Sequence, residues 1–451
     1  MAELGLITQT RVQRGYPMER GKLDPRLRLI QQSDMKGKVV LVRVDHNVVK
    51  KGRIKDPYRI DATIGTLYAI AAGGGRPILM THVGRPKDKK TGQIACREEE
   101  SVKPIARYLE QKLPVSVYVQ EFPADPEKGI TGLDTSIKPA IADLKAGKVG
   151  MIYLPNTRWF AGEQAKGPDR ETLADELAAL ADLYINDAFG SWRAHASTFD
   201  VAKRVPSYAG ILLQKELKNL YRVLEPQKPF VAVVAGAKYD TKIGPLKALY
   251  ERVDHLMLGG LMYNTFLAAK YGIHIAGVTE EDKALAMELV ELDRAGKKIL
   301  EPPWLTESET MQERAEGRFR SIGIKDLTSG RDIQYIVDVD PRSFQDPTIR
   351  DVMGSAKTLF VNAVMGFMPL FHEGSEALYR LIGENAGAAR LFAGGDTLQE
   401  LRNLCPGIYM AGLDDPETYY FTGGGSVLTA VEQGTPYQMK PVEILMEGGT
   451  E

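Results

Sequence analysis

Polar and cationic residues stand at the ends of apolar runs in the first half of this chain: residues 39–44 lead into Asp45 and Asn47, residues 78–80 into His82 and Arg85, and residues 151–154 into Asn156 and Arg158. Each run reads as a buried strand with a reactive tip. Guanidinium groups at such tips suit a small, multiply charged anion, because arginine pairs with phosphate in a planar, bidentate way. The second half carries different tips. Residues 231–234 precede Gly236, Ala237 and Lys238; residues 255–258 precede Gly259 and Gly260; residues 358–361 precede Asn362; residues 390–393 precede Gly394, Gly395, Asp396 and Thr397. Glycine-rich strand-to-helix loops leave backbone N–H groups open to phosphate. One half is suited to a small anion, the other to a nucleotide.

The elements that must position these tips alternate. Segments of helical period at 61–72, 101–113, 169–183, 215–224, 243–253, 279–295, 375–382 and 397–404 separate the apolar runs. This order predicts an α/β protein with mainly parallel sheets flanked by helices. Thr279 followed by Glu280, Glu281 and Asp282 predicts a capped helix start. Gly73, Gly74 and Gly75 lie between a helix and a strand and read as a helix stop.

The 451 residues exceed what one core usually serves and predict two domains. Leu212, Leu217, Leu220 and Leu224 mark a connecting helix that runs into Pro226 and Pro229. The expected division is a weakly ordered extension over 1–24, a first domain over 25–208, an interdomain helix over 209–225 and a second domain over 226–432.

With 58 basic and 59 acidic side chains, overall charge does not favour a nucleic-acid or membrane-surface partner. Cys96 and Cys405 are far apart, which suggests neither a disulfide framework nor a zinc site and makes a reducing cytoplasm the expected location. No apolar run reaches the roughly 18 residues of a membrane span. The common phosphate-binding loop GxxxxGK[ST], the dinucleotide fingerprint GxGxxG, HExxH and GxSxG are all missing, so a nucleotide must be held by another cradle and a nicotinamide dehydrogenase is disfavoured.

Seven segments occur in one order: Val42-Arg43-Val44-Asp45-His46-Asn47, Thr81-His82-Val83-Gly84-Arg85-Pro86, Asn186-Asp187-Ala188-Phe189-Gly190, Arg193-Ala194-His195-Ala196-Ser197-Thr198, Gly236-Ala237-Lys238 with Lys242, Gly394-Gly395-Asp396-Thr397 and Thr422-Gly423-Gly424-Gly425. In this the chain resembles the phosphoglycerate kinase family. The resemblance implies two Rossmann-like three-layer domains joined by a hinge helix, with a cleft between the lobes and a C-terminal tail, about 433–451, returning to the first lobe. It implies reversible phosphoryl transfer between 1,3-bisphosphoglycerate and Mg-ADP, giving 3-phosphoglycerate and ATP. A monomer acting on small molecules is expected.

By the same resemblance Asp45, Asn47, Arg59, His82, Arg85, Arg158 and Arg193 bind the phosphoglycerate, and Arg59, Lys238 and Lys242 carry catalysis. Gly236, Ala237, Lys238, Lys242, Gly259, Gly260, Asn362, Gly394, Gly395, Asp396 and Thr397 bind the nucleotide, with Asp396 towards magnesium. Phosphoryl transfer asks a protein chiefly to place positive charge where the equatorial oxygens gain negative charge, which suits Arg59 and Lys238 on opposite lobes.

The chain also departs from the family. Asn362-Ala363-Val364-Met365-Gly366-Phe367-Met368-Pro369 lacks the acid that takes the ribose hydroxyls, leaving Glu373 as a substitute. Leu261 stands where a third glycine is customary, and Trp192 replaces a histidine in a shortened loop before Arg193. A rival reading is a non-catalytic binding or regulatory relative, since fold alone does not exclude it. The joint presence of Arg59, Lys238 and Asp396 argues for catalysis.

Overall fold

A computed structural model describes residues 21–236 and 243–446. The first sheet contains β1 (Val39–Val44), β2 (Arg76–Met80), β3 (Val117–Val119), β4 (Met151–Tyr153), β5 (Leu183–Asp187) and β6 (Ser207–Ala209), in the order β3-β4-β2-β1-β5-β6. All five pairings are parallel. Because β1 lies between β2 and β5, the loops leaving β1 and β5 diverge and open a crevice at their carboxyl ends.

The second sheet contains β7 (Phe230–Ala235), β8 (His255–Gly259), β9 (Thr358–Asn362), β10 (Ala389–Ala393) and β11 (Thr418–Phe421), in the parallel order β8-β7-β9-β10-β11. Its crevice opens beyond β7 and β9, where Gly236 and Asn362 stand.

The helices that matter most to the cleft are α1 (Tyr58–Ala72), α2 (Ile211–Leu224), α3 (Ile243–Arg252), α4 (Gly260–Tyr271), α5 (Gly395–Leu404) and α6 (Gly424–Gln433). Helix α1 stops at the three glycines, with Gly73 as its cap and Gly74 at φ +76°. The helix over Glu280–Gly296 starts at Thr279, whose side chain accepts from Asp282 N.

Strand β1 is buried on both faces, and its period of two divides the packing. Val40, Val42 and Val44 meet Ile60, Leu67 and Ile70 of α1, in a core of their own. Val39 and Leu41 join a second core that continues through Leu213, Leu217 and Leu220 of α2 into the second sheet. Each such buried side chain contributes roughly 1.5–3 kcal/mol. Helix α2 therefore belongs to both lobes.

The C-terminal segment packs on the first lobe: Arg28 N donates to Leu445 O at 3.2 Å, Asn186 Nδ2 to Pro441 O at 3.2 Å, and Asp24 N to Tyr437 Oη at 2.9 Å. The sheet reading missed a three-stranded antiparallel sheet of Trp304–Ser308, Phe319–Gly323 and Tyr335–Val339. Its strands are short, partly exposed and interrupted by Glu307, Arg320 and Asp338, so no apolar run marks them. Among the described residues no helix is long and apolar enough to cross a membrane.

Candidate active site in the cleft

Tips of the first sheet converge on one basic pocket. Asp45, at the end of β1, is buried, and its Oδ2 lies 3.3 Å from Nη1 of Arg59, the second residue of α1. Asn47 accepts from Gly84 N at 3.0 Å and so fixes the loop that carries Arg85, whose side chain is exposed. Asn156 accepts from Val83 N at 2.9 Å and Arg158 N at 3.1 Å, which stitches the ends of β2 and β4 together. The Arg158 guanidinium donates to Gly84 O. Arg193 is exposed and stacks on Trp192, 5.1 Å from the ring centroid.

Sequence reasoning assigned no role to Arg43, which proves to be the most buried cation of this lobe at 1% exposure. Its Nε donates to Ser197 Oγ at 3.0 Å, and Nη2 lies 3.1 Å from His82 Nδ1. The Ser197 hydroxyl in turn donates a hydrogen bond to Glu163 Oε1 at 2.6 Å, so a buried carboxylate balances the buried guanidinium through one hydroxyl. An arginine embedded in a run of valines was the available signal.

The electrostatics report the same convergence. Burial lowers the His82 imidazole well below its ordinary range, with Arg158, Arg43 and Arg59 pushing the same way. Burial, Arg43 and Arg158 bring His195 down to about 4. Both rings are neutral at pH 7, and the net field of the pocket is positive. Such a field suits an anion.

Backbone dominates the second lobe's tips. Gly260 begins α4 in the left-handed region at φ +61°, which lets Met262 N reach Gly236 O at 3.1 Å. Gly394 caps α5 at φ +98°, and Asn362 Nδ2 donates to Ala393 O at 2.6 Å, tying β9 to β10. A Cβ on Gly394 would stand 2.9 Å from that Asn362 nitrogen. Asp396 is an exposed residue in the first turn of α5, and Thr397 is buried behind it. Gly259 lies against Met365. Ala237, Lys238 and Lys242 lie outside the described residues.

The departures from the expected pattern have definite settings. Glu373 opens a helix and pairs with Arg314, which also stacks on Phe319 and Phe371. Its carboxylate is therefore already engaged. Leu261 is half-buried in the first turn of α4, and Phe367 is 47% exposed on the loop before Pro369. The Trp192 indole nitrogen would stand 3.1 Å from a Cβ on Gly425.

The two sets of tips face each other. A Cβ on Gly395 would stand 3.2 Å from Arg59 Nη2, and a Cβ on Gly423 would stand 2.6 Å from Gly190 Cα. Ser426 Oγ donates to Phe189 O at 2.6 Å, Tyr58 Oη to Tyr420 O at 2.8 Å, and Arg402 pairs with Asp56 at 2.9 Å. Asp45 Oδ1 and Arg59 Nε are buried without a hydrogen-bond partner among the described residues. An acceptor and a donor thus remain for a ligand between the lobes.

Glu216 links α2 to this cleft: its Oε1 accepts from Thr422 N at 2.9 Å and Thr422 Oγ1 at 2.8 Å. Burial raises its pKa from 4.5 to about 8 despite those bonds. The folded state therefore holds the proton that the unfolded chain releases above about pH 4.5, so this contribution to stability is full below that pH and is lost as pH rises through 8. Glu216→Gln, neutral throughout, is expected to flatten the fall in melting temperature between pH 5 and 8, followed by calorimetry; an unchanged slope would rule out Glu216 as its source.

Two parallel α/β lobes that set arginine-tipped strands against glycine-rich helix starts define a two-substrate phosphotransferase. Residues 30–434 match the family model for phosphoglycerate kinase. The chain is 34% identical over 410 residues to a phosphoglycerate kinase of Rubrobacter xylanophilus, covering 90% of this chain and 95% of that one. It is 36% identical over 415 residues to one of a Synechococcus strain, covering 88% and 93%. A solved phosphoglycerate kinase of Coxiella burnetii superposes with a TM-score of 0.66 at 28% identity, over 94% of this chain and all of that one. That of Pyrococcus horikoshii superposes at 0.72 with 22% identity, over 93% of this chain and all of that one, and speaks to the fold. The chain belongs to the phosphoglycerate kinase family and has its activity, that of an ATP-binding glycolytic kinase with a carboxyl group as acceptor.

Proposed function

We propose that the first lobe, residues 25–208 with the tail from about 433, holds 3-phosphoglycerate or 1,3-bisphosphoglycerate through Asp45, Asn47, Arg59, His82, Arg85, Arg158 and Arg193. The second lobe, 226–432, holds ADP or ATP against Gly236, Ala237, Lys238, Lys242, Gly259, Gly260, Asn362, Gly394, Gly395, Asp396 and Thr397, and the lobes close about the helix within 209–225. The carrying observation is the pair of unpartnered buried atoms, Asp45 Oδ1 and Arg59 Nε, the arginine lying beside Gly395 of the other lobe. Arg59 bears on the transferring phosphoryl group from one side, and Lys238 and Lys242 from the other. Closure removes water that would otherwise accept that group.

Magnesium fits the donor set. Among the described residues no group of three or more His, Cys, Asp or Glu side chains is placed to cage a metal, while Asp396 offers one exposed carboxylate at a helix start. A hard cation that keeps several waters needs only one or two protein oxygens in addition to phosphate. Bound with the nucleotide, magnesium neutralises charge on the phosphate oxygens. The monomeric state and cytoplasmic location belong to the same proposal, the location supported by 34% identity to a cytosolic phosphoglycerate kinase of Arabidopsis thaliana.

With Leu261 where a glycine is customary, nucleotide preference is expected to be altered, and with Pro369 near the usual position of the ribose acid and Glu373 engaged by Arg314, affinity for nucleotides in general is expected to be weaker. A coupled assay with magnesium, run in competition between ADP, GDP and IDP, checks this. Comparable kcat/KM for the three is the expected result; a strong preference for ADP would overturn it. No turnover with any of them, alongside intact phosphoglycerate binding, would overturn the catalytic reading.

A further inference from the structure

Between the two anchoring residues Asp45 and Asn47 stands His46, which is fully buried and bonded at both ring nitrogens. Nδ1 lies 2.9 Å from the hydroxyl of Tyr153 on β4, and Nε2 lies 2.9 Å from Thr63 Oγ1 on α1. Its backbone N donates to Thr81 Oγ1 at 2.9 Å, at the end of β2. One residue at the end of β1 thus touches two further strand ends and a helix.

The partners determine the tautomer. Thr63 commits its own hydroxyl proton to Ile60 O at 2.8 Å, so at Nε2 the threonine oxygen accepts and the imidazole carries the proton. Nδ1 is then the acceptor and takes the Tyr153 hydroxyl proton. Burial and the neighbouring guanidiniums of Arg43 and Arg59 oppose a second proton, bringing the ring down to about 3. The ring is a neutral strut of defined polarity.

Its far end matters because Thr63 lies four residues after Arg59, one turn along the same helix face. We propose that His46 is a positioning residue for phosphoryl transfer, tying the end of β1 to α1 one turn beyond Arg59 and so holding that guanidinium against Asp45. An apolar side chain of similar size fills the space but leaves the helix free to slide along β1. This inference rests on the role given to Arg59 above.

Four variants test it in the coupled assay: His46→Leu, His46→Gln, Thr63→Val and Arg59→Ala, with the first also made in the Arg59→Ala background. His46→Leu is expected to lower kcat about tenfold to hundredfold, the usual effect of a small misplacement, with KM for 3-phosphoglycerate changed less than about threefold. Thr63→Val cuts the same bond from the helix side and reproduces the loss, which keeps the test alive if the leucine variant does not fold. His46→Gln, which can present its own Nε2 donor to Thr63, restores most of the activity. In the Arg59→Ala background the leucine change costs nothing further. Nitrogen-15 NMR of labelled histidine shows the Nε2–H form, neutral at pH 5.

An equal loss in both backgrounds, an unchanged kcat in His46→Leu, or an Nδ1–H or charged ring would overturn the strut alone. Full activity in Arg59→Ala would instead overturn the role of Arg59, and the purpose of the strut with it.

Discussion

Arg59→Ala is expected to lower kcat by about a hundredfold to a thousandfold in a coupled assay from ATP and 3-phosphoglycerate, with the melting temperature little changed. The Arg59 side chain is 15% exposed, paired with Asp45 on one side and faced by the start of α5 on the other, and its Nε has no partner among the described residues. A guanidinium so held is preorganised for charge that develops only during transfer. Its loss is therefore expected to fall on kcat more than on KM, since Arg85, Arg158 and Arg193, the arginines proposed to hold the phosphoglycerate, remain. Arg59→Lys should recover only part of the rate, because an ammonium lacks the planar fork. Retention of the wild-type kcat in the alanine variant would remove Arg59 from the mechanism.

Arg43→Leu is expected to cost about 3–5 kcal/mol of stability, read as a lower urea midpoint, because it strands Glu163 as an uncompensated buried acid. Arg43 and Glu163 are each about 99% buried and joined through Ser197. Burial already raises the Glu163 pKa, and Arg43 opposes that rise. The paired change Arg43→Leu with Glu163→Leu should recover much of the loss, since two apolar side chains of moderate size leave no unpaired charge. Equal destabilisation in single and double variants would show that Arg43 acts by packing and not by charge. Substrate binding is expected to weaken in the single variant, where the positive field on the pocket declines, and less in the double variant, which removes one charge of each sign.

The sheets were legible because a strand buried on both faces is apolar along most of its length, as β1, β2, β7 and β9 are, with Arg43 the exception inside β1. Their tips were legible for the converse reason: where the apolar run stops, polar groups can leave the core. The antiparallel strands at 304–308, 319–323 and 335–339 were not legible, since charge interrupts each run: Arg320 is exposed, while Glu307 and Asp338 are buried against partners, Arg320 and Gly374 N, that only the tertiary structure supplies. Arg43 and His46 carried no local sign of their roles. Both lie in or beside an apolar run, and their partners Ser197, Tyr153 and Thr63 are 154, 107 and 17 residues away.

What the amino-acid order determined by itself is the alternation of strands and helices, the ends of the helices and the chemical kind of each strand tip, because these depend on neighbours within a turn or two of chain. Only the tertiary structure decided that Arg59 of one lobe meets Gly395 of the other, that Gly190 lies against Gly423, and that Glu216 keeps its proton beside Thr422. Such contacts join residues more than 200 positions apart, and the burial that shifts a proton or orients a guanidinium exists only once both lobes have enclosed it.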